Sequence, residues 1–211
     1  MKKIMFNDYY ALTEAVLDGR KTTTRRIVSE KLWDKWTEYD DFCGSVGVAG
    51  LAEIGVDVTR EYSNCEKFFI DNSPFKIGEV AAIAQSYKDV GFNPEAPLME
   101  ANGVGRYIRT EFSPGWSNKM FVRADLMPHQ IRITDIRVER LQDIGDVDCL
   151  AEGIELSHKA QRFYVSNDNG VRIWLGETPR EAFASLIDRV SGKGTWESNP
   201  YVFAYDFKLV K

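Results

Sequence analysis

Eight consecutive residues, GRKTTTRR from Gly19 to Arg26, place four cations and three hydroxyls side by side in a chain whose net charge is −5. Such a cluster suits three uses. Its cations could complement the negative C-terminal end of a preceding helix. Arg20, Lys21, Arg25 and Arg26 could touch phosphates while an aromatic ring, Trp116 or Trp196, stacks on a base. Or the stretch could line an active site, with Arg26 holding a phosphate, a carboxylate or an oxyanion. For both tryptophans the competing reading is packing at the rim of the core, the commoner fate of large aromatics.

Other chemistry has less material. Two histidines, His129 and His158, give little basis for an imidazole-centred or metal site. Cys43, Cys65 and Cys149 are odd in number, widely spaced and without a CxxC pair, so neither a disulfide framework nor a zinc site is expected. No cofactor or metal is called for. The acidic balance, with a pI near 5.2, argues against broad electrostatic attraction to nucleic acid, so any phosphate contact must be local. No segment has the apolar length of a membrane span or of a signal peptide, and a reducing, cytoplasmic setting fits best.

The elements that must position this stretch can be read in part. Leu12, Ala15, Val16 and Gly19 follow helical spacing, with Asn7 or Asp8 as cap and Gly19 as stop. The segment 29–73 is polar, studded with aromatics and glycines, and without sustained period; it reads as an insertion. FKIGEV and the following residues predict a turn at Lys76 to Glu79 feeding a buried strand over Val80 to Ala84. Prolines and glycines between Asp89 and Asn118 predict a long surface excursion.

IRITDIRVERL alternates with a phase slip at Thr134–Asp135, which predicts a strand carrying a bulge. Arg132, Arg137 and Arg140 have mixed parity on it and form no single basic face. DVDCLAEGI places Val147, Leu150, Ala151 and Ile154 on one helical face, closed by Gly153. TPREAFASLIDRV is a helix with Thr178 as N-cap, Pro179 in the first turn and Glu181 completing a capping box. VSGKGTW lacks phosphate-loop spacing and reads as a helix-to-strand connection. Tyr201 to Leu209 alternates as a strand that must pair at long range. Without regular βαβ repetition, the order points to an α+β domain with a small mixed sheet or barrel.

Three of these segments together, AVLDGRKTTTRR, IRITDIRVERLQDIGDVDCLAEGI and NPYVFAYDF, with FKIGEV between the first two, resemble the ASCH-domain family, particularly its bacteriophage and prophage members. The resemblance implies a PUA-like small β-barrel with flanking helices, one domain over 1–211 with insertions at about 29–73, 89–118 and 155–177, and an association with RNA binding. One branch of the family comprises amidohydrolases that deacetylate acetylated cytidine nucleosides. The positions matching its catalytic trio are Lys21, Thr24 and Glu152. Glu79 stands where the phage-type members carry an aspartate, and Ala82, Ala84 and Gln85 replace a tryptophan and an arginine–glutamate pair.

Three functions follow as expectations. The chain could bind RNA or a nucleotide-type ligand in a pocket around GRKTTTRR. It could hydrolyse an amide on an acetylated cytidine-type nucleoside without metal, with Lys21 as base or proton shuttle, Thr24 as nucleophile and Glu152 as orienting or acid–base carboxylate. Or it could serve phage assembly through protein contacts of its insertions, with Trp33, Trp36, Tyr39 and Phe42 as anchors. Two spacing arguments bear on the site. Lys21 and Thr24, three apart, share a side on a turn but not on a regular strand. Glu152, at the C-terminal end of a short helix, needs a cation partner.

Overall fold

In the computed structural model, which describes residues 1–53 (44–53 by backbone alone), 64–91, 93–94 and 113–210, the elements begin with β1 (Lys2–Ile4), α1 (Leu12–Leu17), β2 (Thr23–Ile27), α2 (Glu30–Glu53) and α3 (Cys65–Asp71). They continue through β3 (Val80–Ile83), β4 (Gln130–Arg140), α4 (Asp146–Ala151), β5 (Glu155–Ser157), β6 (Arg162–Ser166) and β7 (Arg172–Gly176). The last three are α5 (Pro179–Ser191), α6 (Thr195–Ser198) and β8 (Tyr201–Val210). The class is α+β.

A five-stranded sheet runs in the order β1-β3-β4-β8-β2, with β1 and β3 parallel and the other pairings antiparallel. Its long strands are β4 and β8. β8 lies between β4 and β2 and is buried on both faces, Phe203, Tyr205 and Phe207 on one and Val202 and Ala204 on the other. Burying a large apolar side chain contributes about 1.5–3 kcal/mol, so this strand is a main source of the core's cohesion. β4 carries the bulge that its phase slip predicts: register shifts between Ile133 and Asp135, and Ile133 and Ile136 both reach the core.

Among the described residues the sheet is open, with β1 and β2 as edges, so no closed barrel forms. The two edges are linked by a side chain. Arg26 of β2 donates through Nη2 to the carbonyl of Met5, which follows β1, and the next residue, Phe6, packs its ring 5.7 Å from that of Phe207.

Several expectations need correction. The segment 29–73, in which no period is legible, holds α2 and α3. Trp33 meets Phe69 at 4.8 Å and Tyr201 at 5.5 Å, and Trp36 meets Phe68 at 5.5 Å. Trp33 therefore packs α2 onto α3 and the sheet, and Trp36 packs it onto α3. Glycines at 44, 47 and 50 fall inside α2, where they obscured its period; Gly55 and most of the excursion 89–118, including Pro97, Gly103 and Gly105, lie outside the described residues. The stretch 155–177 forms a second, antiparallel sheet, β5-β6-β7.

Capping also differs in detail. Ala11, with φ 47°, precedes α1, and no side chain caps that helix. Gly19 ends the following turn with φ 76°, as expected. At α5, Thr178 Oγ1 accepts from the Glu181 amide at 3.2 Å, while the Glu181 carboxylate accepts from the amide of Glu177, one residue before the cap. Of the predicted α4 face, Val147 and Leu150 point to solvent, Ala151 is half-buried and Ile154 is buried, while Cys149, outside that face, is buried too. No helix among the described residues is long and apolar enough to cross a membrane.

Candidate active site

The backbone sets the site before any side chain does. After Gly19 the chain turns back on α1, with the Lys21 amide donating to the Ala15 carbonyl at 2.8 Å. The Thr22 amide then donates to the Ala151 carbonyl at 2.9 Å, and Lys21 and Glu152 form an isolated antiparallel bridge. From Thr23 the chain joins β8, Thr24 facing Tyr205 in register. Lys21 thus precedes the regular strand, and both it and Thr24 line one cavity. The stretch was expected to use a turn for this; it uses a bridge residue, one irregular residue and then a strand.

Gly153 makes the close approach feasible. Its φ of +99° stops α4, and a Cβ there would lie 3.4 Å from the Cβ atoms of Ala15 and Lys21. That left-handed backbone disfavours any L side chain.

The electrostatics are those of a buried ion network. Lys21 and Glu152 have side chains 2% and 6% exposed and are ion-paired through Nζ and Oε2; Nζ also donates to the Glu152 carbonyl at 2.9 Å. Arg25, 1% exposed, donates through Nη1 to Glu152 Oε1 at 3.2 Å. Its Nη2 reaches Glu139 at 2.7 Å and Asp148 at 2.8 Å. Arg137 extends the network, reaching Asp148 and Asp206 at 3.2 Å each.

Burial pulls the Lys21 ammonium below the ordinary lysine range, although the Glu152 carboxylate opposes the shift. Burial likewise lowers Arg26. Burial would raise Asp148, but hydrogen bonds and charge from Arg25 and Arg137 hold its carboxyl below the usual range. The carboxylate at the α4 C-terminus thus has the cation partners its position demands.

The cavity encloses about 270 Å³, near the small end of ligand sites. Lys21, Thr24, Arg26 and Glu152 form its polar wall, and Phe183, Leu186 and Ile187 of α5, with Phe6, its apolar one. It lies between the two edges of the open sheet, roofed by α5. A basic nitrogen of lowered proton affinity, a hydroxyl, a carboxylate and a guanidinium sharing an apolar-walled cavity match the requirements of nucleophilic attack on a carbonyl.

The other predicted site residues lie elsewhere or are engaged. Arg20 pairs with Asp18 at 3.2 Å and Glu155 at 3.1 Å and does not line the cavity. Arg25 faces it, but its guanidinium is held by three carboxylates. Trp116 packs on the satellite cluster of Ala82, Ala84 and Tyr87. Trp196 packs on Phe183 at 6.1 Å, under the guanidinium of Arg180 at 5.1 Å. Neither tryptophan reaches the cavity. Sequence reasoning missed Glu139, Asp148 and the apolar wall of α5; the signal for the first two was acidic residues recurring inside otherwise core-forming segments.

Comparison with protein-family models, curated proteins and solved structures yields no match for this chain. Its site is therefore read from its own geometry.

Proposed function

We propose that this chain is a metal-independent amide hydrolase, PUA-like and of ASCH type, that acts on a ligand of nucleoside size bearing an acetylated cytidine-type base. The observation that carries the reading is the convergence of Lys21, Thr24 and Glu152 on one apolar-walled cavity. The fold reading is a barrel left open between β1 and β2, with the cavity at the gap where the barrel would close.

In this reading Thr24 Oγ1 attacks the amide carbonyl carbon while neutral Lys21 takes its proton. The attack leaves a tetrahedral oxyanion within the cavity. Collapse breaks the C–N bond, the Lys21 proton passes to the leaving amine, and water then hydrolyses the acetyl ester to acetate and free Thr24. Glu152 orients Lys21 throughout. Two observations favour a single small ligand over a nucleic-acid strand: Arg20 and Arg25 are occupied by carboxylates, and both tryptophans are packed away from the cavity. Glu79, Ala82, Ala84 and Gln85, where the chain departs from the family pattern, do not line the cavity.

The test is release of cytidine and acetate from acetylcytidine, followed by chromatography, for the wild type, Lys21→Ala and Thr24→Ala, with circular dichroism to verify folding. Turnover that both substitutions abolish in folded protein supports the proposal. Absence of turnover by the wild type, or full activity in folded Thr24→Ala, rejects it.

A further inference from the structure

A second cavity, of about 220 Å³, adjoins the first, and Arg26 and Ile27 line both. Lys31 and Lys35, one turn apart on α2, supply two more cations, and Leu32 and Phe203 an apolar part. No carboxylate lines this cavity. Neither lysine makes an ion pair among the described residues, and Arg26 donates only to the Met5 carbonyl there. By contrast, Lys2, Arg20, Arg25, Lys119, Arg123 and Arg137 each hold a carboxylate within ion-pair distance.

Arg26 feels the Glu152 carboxylate of the adjoining cavity, but three cations around one concavity that no carboxylate lines repel one another and are relieved by a ligand of matching charge. A phosphomonoester carries about −1.5 to −2 charges and three acceptor oxygens. An arginine can grip it bidentately, and lysines serve as point charges. A carboxylate would neutralise fewer of the three.

We propose that the second cavity is a phosphate subsite, so that the ligand is a nucleotide and not a free nucleoside. The amide lies beside Lys21 and Thr24, and the phosphomonoester lies among Arg26, Lys31 and Lys35. The placement of the amide rests on the hydrolase reading; the phosphate subsite rests on the charge and shape of the second cavity.

The experiment is a calorimetric titration with cytidine, cytidine 5′-monophosphate and a pentacytidylate, using the wild type, Lys31→Ala/Lys35→Ala and Lys31→Arg/Lys35→Arg. Turnover of acetylcytidine and its 5′-monophosphate is measured alongside. The wild type is expected to bind the monophosphate at least ~10-fold tighter than cytidine, in line with the strength of charge-assisted hydrogen bonds. The alanine pair is expected to collapse that ratio and the arginine pair to restore it.

Equal affinity for cytidine and its monophosphate, no binding of either, or a ratio insensitive to the alanine pair would overturn the subsite. Tighter binding of the pentacytidylate than of the monophosphate would overturn the monoester assignment. Turnover of acetylcytidine with no preference for its monophosphate removes the subsite and leaves the hydrolase standing. Lysine-dependent monophosphate binding without turnover of either compound supports the subsite and removes the hydrolase.

Discussion

Replacing Glu152 by glutamine tests the buried network directly, because the structure says which charge is left uncompensated. Arg25 keeps Glu139 and Asp148 at 2.7 and 2.8 Å, so its loss is small. Lys21, with a side chain 2% exposed, keeps only neutral acceptors, the Glu152 carbonyl at 2.9 Å and the new amide oxygen. Removing one partner of a buried pair costs about 3–5 kcal/mol. The surviving hydrogen bonds place Glu152→Gln near the lower bound, about 3 kcal/mol. For a chain of this size that is a fall of about 6–12 °C in Tm.

Lys21→Met leaves Glu152 still paired with Arg25 and should cost less, about 1–3 kcal/mol. The double variant should be more stable than the sum of the single losses predicts, by about 1–2 kcal/mol, read from urea unfolding followed by circular dichroism. The sign of the pH dependence is fixed by burial. A lysine whose folded pKa lies below 10.5 binds its proton more readily when unfolded, so its contribution to stability rises with pH between the folded value and 10.5. That interval widens without the Glu152 carboxylate, so the cost of Glu152→Gln should be larger on the acid side of the folded Lys21 titration than on its alkaline side. A cost under ~0.5 kcal/mol, the range of ordinary surface substitutions, or strict additivity in the double variant would refute the network as described.

Three further outcomes follow. If Lys21 accepts the proton in hydrolysis, kcat/KM should rise with pH to a plateau whose midpoint lies below 10.5, and Glu152→Gln should move that midpoint further down. Gly153→Ala should destabilise by about 1–3 kcal/mol, measured by denaturant titration, because it forces a side chain into left-handed backbone at 3.4 Å from Ala15 and Lys21. Cys149, fully buried and with its thiol pushed up to about 11, should resist iodoacetamide in native protein, while the partly exposed Cys43 and Cys65 label, as peptide mass mapping would show.

Elements whose local pattern agrees with their burial were legible in the sequence. The slip at Thr134–Asp135 announced the β4 bulge, the Thr178-Pro179 start announced α5, and the alternation from Tyr201 announced β8. Where burial is held by charge, hydrophobic period misleads. α4 turns Val147 outward because its inner side is fixed by Cys149 and by the ion pairs of Asp148 and Glu152. α2 was lost because its anchoring aromatics alternate with charges and its second half carries glycines, a case of tertiary packing overriding propensity. The resemblance groups Lys21, Thr24 and Glu152, and the fold brings these three to one cavity. The occupation of Arg25 by Glu139 and Asp148 was not legible, since those partners come from two distant elements and only the folded register brings them together.

The position of β8 bears on how the protein is made. It is the last strand of the sheet in chain order, yet it sits between β4 and β2 and pairs with both. On the ribosome, β2 emerges long before the partner it needs, and the sheet remains split until β8 is released. The segment bearing Thr24 has no neighbouring strand in the interval, so this wall of the cavity should be set late and in a single closing step, with the slow, non-local pairing that such strand orders impose. A ribosome stalled before Tyr201 has been exposed should therefore carry a nascent chain whose Thr23–Ile27 segment is open to protease, and release of the final strand should protect it.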